Sequence, residues 1–339
     1  MQSTGLRVPR TDGEWTRRIL HERGLLRTDL EIQKEGEFLV LPLRDDGSAP
    51  APPGERVVRE FTSVERGTAS DYRELLTKFS GPRELLPRSF DVVGDIVLIR
   101  LPDELSAHGA EIGEALLSFV PAARVVARDL GVHGPERLRR VERIAGSGGW
   151  RTRHRENGID FEVDVERAYF SPRLAHEHER VAAGVGPGER VLDLCCGVGP
   201  FALTIARAGK AASVTAVDSN PAAIELLERT RRRYRFGGLV TPVLASLGTF
   251  LPRAPTVERA ILNLPHEGIK YLPSVARTVV PGGNLHYYEI TPRAEFDQRA
   301  ESIMASLEPR DWTVGGQHVV HRYAPSSDMI SFLFHRAGA

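Results

Sequence analysis

The stretch VLDLCCGVGPFALTIAR, residues 191–207, restricts the fold more than any other part of this 339-residue chain. An apolar strand runs into two glycines, Gly197 and Gly199, and then into a helix opening near Pro200. Glycines at a strand-to-helix turn let a ligand lie against bare backbone, and proline is favourable at a helix's first position. The rhythm persists: RVLDL (190–194), SVTAVD (213–218), TPVLA (241–245), ERAILNL (258–264) and GNLHYYEI (283–290) read as strands separated by helices. WTVGGQHVVHRYA and DMISFLFHR read as a closing hairpin. Such alternation predicts a doubly wound α/β domain with a parallel, Rossmann-like sheet.

Upstream the rhythm differs. Residues 13–24 predict an amphipathic helix with Trp15, Ile19 and Leu20 on one stripe, followed by a strand at 37–43. RDDGSAPAPPGER, 44–56, has linker chemistry, so residues 1–43 are expected to form a small N-terminal domain. A second unit is expected from Val57 to Arg173, with a helix around 71–79, a strand at 91–101 and a helix at 103–118. Strands near 123–128, 137–144, 151–155 and 159–165 would complete an α+β module. The helix at 174–184 then opens the last domain, 174–339.

Asp218 closes the second strand about 20 residues beyond the glycines, where a carboxylate can hydrogen-bond a ribose or cap the helix opening at Asn220-Pro221. The run from Gly197 to Ala202 fits a dinucleotide fingerprint, but a diphosphate needs free amides at the helix start, and Pro200 removes one. S-adenosylmethionine carries no phosphate, and Asp193 suits its cationic amino end, so it is expected in preference to NAD. Asn263-Leu264-Pro265 follows the fourth strand and should face the same crevice, where an amide can hold the edge of a planar base or simply form a turn.

Composition bounds the partners. With 45 Lys+Arg against 45 Asp+Glu the formal net charge is zero, which excludes a nucleic-acid binder working through bulk charge. The cations are 4 Lys and 41 Arg, as a GC-rich genome or phosphate recognition would give. Residues 137–155 hold seven Arg against one acid, Glu142, and 229–235 hold five. The first run is expected to face RNA phosphates, while the second either joins it or complements a helix dipole. The only cysteines, Cys195 and Cys196, are adjacent, so no disulfide scaffold is expected and a cytoplasmic location is. No apolar run approaches the ~20 residues of a membrane span, so no membrane association is expected. His176 and His178 lie two apart on the helix and so on different faces, which argues against a metal.

Several motifs together resemble one family. CCGVGPFALTIA, NLPHEGIKYL, LHYYEI, SFDVVGDIVLI (89–99), HRENG (154–158), YFSPRLAHEHER (169–180) and HRYAP (321–325) are similar to the archaeal and eukaryotic tRNA (guanine-37-N1)-methyltransferases, knotless class I enzymes. The resemblance covers about residues 57–330, and loosely the first 43. It implies a monomeric enzyme moving the methyl of S-adenosylmethionine to N1 of guanosine-37 in the tRNA anticodon stem-loop. A sister family transfers an aminocarboxypropyl group at the same position. It typically shows Gly-Ile-Gly-Tyr-Phe at the glycine loop and lacks Asn-Leu-Pro after the fourth strand. Aminocarboxypropyl transfer, or methylation of a wyosine intermediate, is therefore the alternative. Two places depart from the family: Cys195-Cys196 stand where a small residue usually precedes the first glycine, and Leu244-Ala245-Ser246 ends the third strand without the usual Asp, leaving Ser246 as a neutral adenine partner.

Guanine N1 carries a proton at neutral pH, so methylation needs a base and a cation near O6. The resemblance places the base on Glu177, which charge pattern alone would make a surface residue, and the cation on Arg137, with Arg139 the neighbouring register. Asn263 also enters the catalytic set. The expected cofactor residues are Asp193, Gly197, Gly199, Pro200, Phe201, Asp218, Ser219, Ser246 and Asn263. The expected substrate residues are Tyr169, Arg173, Pro265 and Arg155, and no metal ligands are expected.

Overall fold

The computed structural model describes residues 2–22, 25–27, 30–44, 52–62, 69–134, 137–308 and 310–338. Packing divides the chain into two units, Met1–Leu75 and Leu76–Ala339.

In the first unit, β1 (Gln2–Pro9), β2 (Gln33–Glu35), β3 (Phe38–Pro42) and β4 (Glu55–Glu60) form an antiparallel sheet in the order β2-β3-β1-β4, with α1 (Gly13–Glu22) between β1 and β2 in sequence. The core holds Leu6, Val8, Leu20, Leu41 and Leu43. Helix α1 turns Thr16 and Leu20 inward and leaves Trp15 45% exposed, so the stripe expected to include Trp15 is rotated. Because β4 pairs with β1 from Gln2↔Glu60 to Arg7↔Glu55, Val57 belongs to this sheet and does not open the second unit. Residues 45–51 of the expected linker lie outside the described residues. The helix expected at 71–79 is one 3-10 turn, Tyr72–Glu74, capped by the Asp71 side chain.

The second unit begins with β5 (Asp91–Val93) and β6 (Ile96–Ile99), an antiparallel hairpin where one strand was expected; Gly94, at φ +59°, makes the turn. A 3-10 turn leads into α2 (Gly109–Phe119), and β7 (Val125–His133) and β8 (Leu138–Gly146) complete a sheet ordered β5-β6-β7-β8. A separate hairpin, β9 (Arg151–Glu156) and β10 (Ile159–Asp164), leads to α3 (Ala175–Ala183).

The last stretch comprises β11 (Arg190–Leu194), α4 (Pro200–Ala208), β12 (Ser213–Asp218), α5 (Pro221–Arg233), β13 (Val240–Leu244), α6 (Leu247–Phe250), β14 (Val257–Leu262), α7 (Leu272–Ala276), β15 (Val279–Pro292), α8 (Phe296–Met304), β16 (Trp312–Ala324) and β17 (Ser327–Arg336). Its seven strands lie in the order β13-β12-β11-β14-β15-β17-β16. The first five run parallel; β17 runs antiparallel to β15, and β16 antiparallel to β17. Apolar residues of α3, α4 and α5 pack into one core cluster, and those of α6, α7 and α8 into another. The strand order reverses at β11/β14, and ligands of doubly wound sheets bind beyond the carboxyl ends of the strands at that point.

The boundary expected at 173/174 is not a break in packing. One cluster joins Val93, Phe161, Val181, Phe201 and Leu227. The β9–β10 hairpin is also pinned to α5: Tyr234 Oη accepts from the Asp160 amide at 2.7 Å and Thr230 Oγ1 from the Glu162 amide at 3.0 Å. No helix among the described residues is long and apolar enough to cross a membrane.

Candidate active site

The glycine turn after β11 is held by its neighbour strand. Gly197 sits at φ +56° and donates its amide to Asp218 Oδ2 at 2.7 Å, while Asp218 Oδ1 accepts from the Asn220 amide at 2.9 Å. Gly199, at φ +81°, precedes α4, and a Cβ there would collide with Leu227. Backbone conformation favours glycine at both positions, and packing against Leu227 adds to this at Gly199. Asn220 caps α5 through Oδ1 and donates Nδ2 to the Arg167 carbonyl at 2.7 Å. Asp218 thus orders the loop and leaves the capping of α5 to Asn220.

These segments border a cavity of roughly 1050 Å³, open mouth included. It is lined by six of the expected cofactor residues, Gly197, Pro200, Phe201, Asp218, Ser219 and Asn263, and by Arg137, Tyr169 and Pro265 from the expected catalytic and substrate sets. Phe170, Leu174, Ile290 and Met329 give it an apolar wall, and His178, His321 and Tyr323 also line it. In the sequence His178 enters only as a rejected metal ligand; Phe170, Leu174, His321 and Tyr323 lie in the YFSPRL and HRYAP motifs but carry no assigned role there.

Arg137 stands at the β7–β8 turn with φ +53°, and its guanidinium carbon lies 5.2 Å from the Tyr169 ring centroid. Arg139 is instead engaged by Asp129 in a nearly buried ion pair, so only Arg137 of the two lines the cavity. Asn263 Oδ1 is buried without a hydrogen-bond partner in the protein, the state of a group that awaits a ligand.

Six expected residues do not line the cavity. Glu177 is only 4% exposed and surrounded by donors, contrary to the surface position its charge pattern suggests. Its Oε1 accepts from Arg180 Nη2 at 2.7 Å and Tyr288 Oη at 2.6 Å; its Oε2 accepts from Arg180 Nε at 2.8 Å and His318 Nε2 at 3.0 Å. Burial alone would raise this carboxyl's pKa, but the bonds from Arg180, His318 and Tyr288 outweigh burial and hold it far below the usual carboxylate range. Asp193 is also buried: its Oδ2 accepts from the Ala202 amide at 3.0 Å, its Oδ1 has no partner, and burial pushes its pKa up to about 7. Gly199 acts behind the loop, through its contact with α5. Ser246, expected beside adenine, caps α6 through the Thr249 amide at 3.3 Å. Arg173 pairs with Asp91 at 2.8 Å and Arg155 with Asp160 at 3.4 Å. Burial raises the pKa of both cysteine thiols, which keeps them protonated and weakly nucleophilic.

The two arginine runs meet. Arg153 of β9 and Arg233 of α5 both bond Glu162, at 2.9 and 2.5 Å, and Arg151 and Arg229 flank Glu225 at 3.5 and 2.8 Å. The end of the first run thus shares its acids with the second, while Arg137 and Arg139 stand apart from it.

A parallel sheet wound on both faces, a glycine turn ordered by the second strand's carboxylate and a cavity at the switch point define a Rossmann-like domain of the class I methyltransferase type. Residues 152–314 match the TRM5/TYW2 methyltransferase domain, 72–149 the TYW2 N-terminal domain and 5–49 the tRNA methyltransferase 5 N-terminal domain. The tRNA (guanine(37)-N(1))-methyltransferase Trm5b of Pyrococcus abyssi is 35% identical over 333 residues, which cover 97% of this chain and 98% of that protein. A crystal structure of Methanocaldococcus jannaschii Trm5 in complex with adenosine superposes with a TM-score of 0.68 at 30% identity, covering 99% of this chain and 100% of that one. The structure of aTrm5 with tRNALeu superposes with a TM-score of 0.71 at 30% identity, covering 98% and 99%. This chain belongs to the tRNA (guanine(37)-N(1))-methyltransferase family.

Proposed function

We propose that this protein transfers the methyl group of S-adenosylmethionine to N1 of guanosine-37 in tRNA. The observation that carries the reading is one cavity that joins a nucleoside-type cradle, Gly197 with Asp218, to a cation, an aromatic ring and an unpartnered amide, Arg137, Tyr169 and Asn263. The relatives' names and the adenosine bound in the M. jannaschii structure support it.

The residues present fit the cofactor. Gly197 offers close backbone approach, Asp218 keeps a carboxylate at the cavity wall for ribose hydroxyls, and Pro200 removes an amide that only a phosphate would need. When bound, the cofactor supplies an electrophilic methyl on a positively charged sulfur.

The remaining work falls to the protein. Arg137 supplies the cation for charge that develops on O6 as N1 gives up its proton, and its contact with Tyr169 fixes where that cation stands. Asn263 and Pro265 shape the pocket for the base, with the Asn263 amide free to take its edge. Glu177 is the proposed proton acceptor. It lies behind the cavity wall with both oxygens already taking two hydrogen bonds each, so proton uptake requires that one donor withdraws and the carboxylate turns into the cavity as N1 becomes acidic during bond formation, which couples proton loss to methyl transfer. The merged arginine surface of β9 and α5 is proposed to contact the phosphates of the anticodon stem. We extend the reading to a monomer and, with both cysteines free, to a cytoplasmic location.

Mass analysis of nucleosides after reaction tests the transfer. N1-methylguanosine is expected; an aminocarboxypropyl adduct would replace this reading by the alternative.

A further inference from the structure

Among the described residues, the large apolar and aromatic side chains that remain exposed include only two aromatic rings, Trp15 and Tyr323. Trp15 belongs to the first unit. Tyr323, near the end of β16, is 47% exposed and lines the cavity. Its ring meets His266 edge-on, with centroids 5.9 Å apart and planes at 70°. His266 follows Asn263-Leu264-Pro265 directly, so two segments distant in sequence set an aromatic pair beside the target pocket. Burial, and then the charge of Arg137, lower the pKa of His266, which keeps its imidazole neutral and suited to packing against a ring. The reaction uses neither ring: the proposed base-binding groups are Arg137, Tyr169, Asn263 and Pro265.

A nucleotide that leaves an RNA stack to enter an enclosed pocket strips its two neighbours of a stacking partner. An exposed aromatic ring at the pocket mouth restores that contact for either kind of base, since every base has a π-face. The geometry points to Tyr323, braced by His266, as a stacking platform for the base of a nucleotide adjacent to guanosine-37. This inference rests on the proposed reaction. It adds a second RNA-base site outside the pocket, one that is tolerant of sequence.

The test uses the full chain and tRNA carrying 2-aminopurine on either side of guanosine-37. With wild-type protein, the probe at one of these positions is expected to stay quenched in the complex. With Tyr323→Ala and Tyr323→Leu it should brighten, and kcat/KM for tRNA should fall by about 5- to 100-fold, the loss of one base–aromatic stack. Tyr323→Phe should match wild type in both readouts. Equal fluorescence in wild type and Tyr323→Ala would overturn the platform, as would a Tyr323→Phe variant that behaves like Tyr323→Ala, since the hydroxyl would then be the active part. Failure of the underlying reaction is separable: wild-type protein would then form no N1-methylguanosine, whatever residue 323 is.

Discussion

The Tyr288 hydroxyl donates a 2.6 Å hydrogen bond to Glu177 Oε1, and with Arg180 and His318 it fills the carboxylate's acceptor positions. A carboxylate so held stays ionised throughout the neutral range. Its folded pKa lies below the unfolded 4.5, so the stability it adds is present above that value and lost as pH falls through the acid range. If Glu177 is the proton acceptor proposed above, Glu177→Gln lowers kcat by about 10²- to 10⁴-fold, and the wild-type rate shows no Glu177 titration between pH 6 and 8. Tyr288→Phe should destabilise the fold by about 2 kcal/mol in urea unfolding, the value of a hydrogen bond to a charged group.

Asp193 should behave oppositely. Its pKa is raised from 3.8 to about 7 by burial, so its contribution to stability is present below about pH 4 and lost as pH rises towards 7. Ionising a carboxyl raised that far costs on the order of 4 kcal/mol. Asp193→Asn should flatten the melting temperature of the ligand-free protein between pH 5 and 8. An unchanged pH dependence would mean that Asp193 is ionised in the fold.

Asp218 ties the glycine turn and faces the cavity. Asp218→Ala should weaken cofactor binding by at least tenfold in a calorimetric titration, since a charged hydrogen bond is worth about 1.5–3 kcal/mol. Ser246→Ala should leave cofactor affinity within twofold and cost about 1 kcal/mol of stability as a lost helix cap.

How far each of these roles could be read in advance depended on sequence separation. Strands β11 and β12 fall where continuous apolar runs ended at glycine or aspartate, because a strand buried on both faces is a local signal. The pairing of β4 with β1 joins Glu60 to Gln2, which periodicity does not record, so Val57 was placed in the wrong unit. That Gly197, Asp218 and Asn263 share one cavity was legible because strand ends come together in any doubly wound sheet. The burial of Glu177 was not, since its partners Tyr288 and His318 lie 111 and 141 residues later. Ser246 shows the converse: its position in a motif suggested a ligand, whereas its side chain serves the local cap.

The shared acids of the arginine surface give a salt prediction. Replacing Arg151, Arg153 and Arg233 together by Ala should weaken tRNA binding and reduce the slope of log affinity against log salt by about 2–3, if each guanidinium displaces a counterion from a phosphate. A slope equal to wild type would place the anticodon stem on another face.

The proposed cation for guanine O6 is Arg137. Arg137→Ala should lower kcat by about 10²-fold or more, and Arg137→Lys should recover only part of it, because an ammonium keeps the charge but not the planar guanidinium against Tyr169.

The most direct measurement is incorporation of label from methyl-labelled S-adenosylmethionine into tRNA transcripts that differ only in carrying G or A at position 37. Label is expected in the G37 transcript and none above background in the A37 transcript. Equal labelling of both would contradict a pocket that selects guanine and removes its N1 proton.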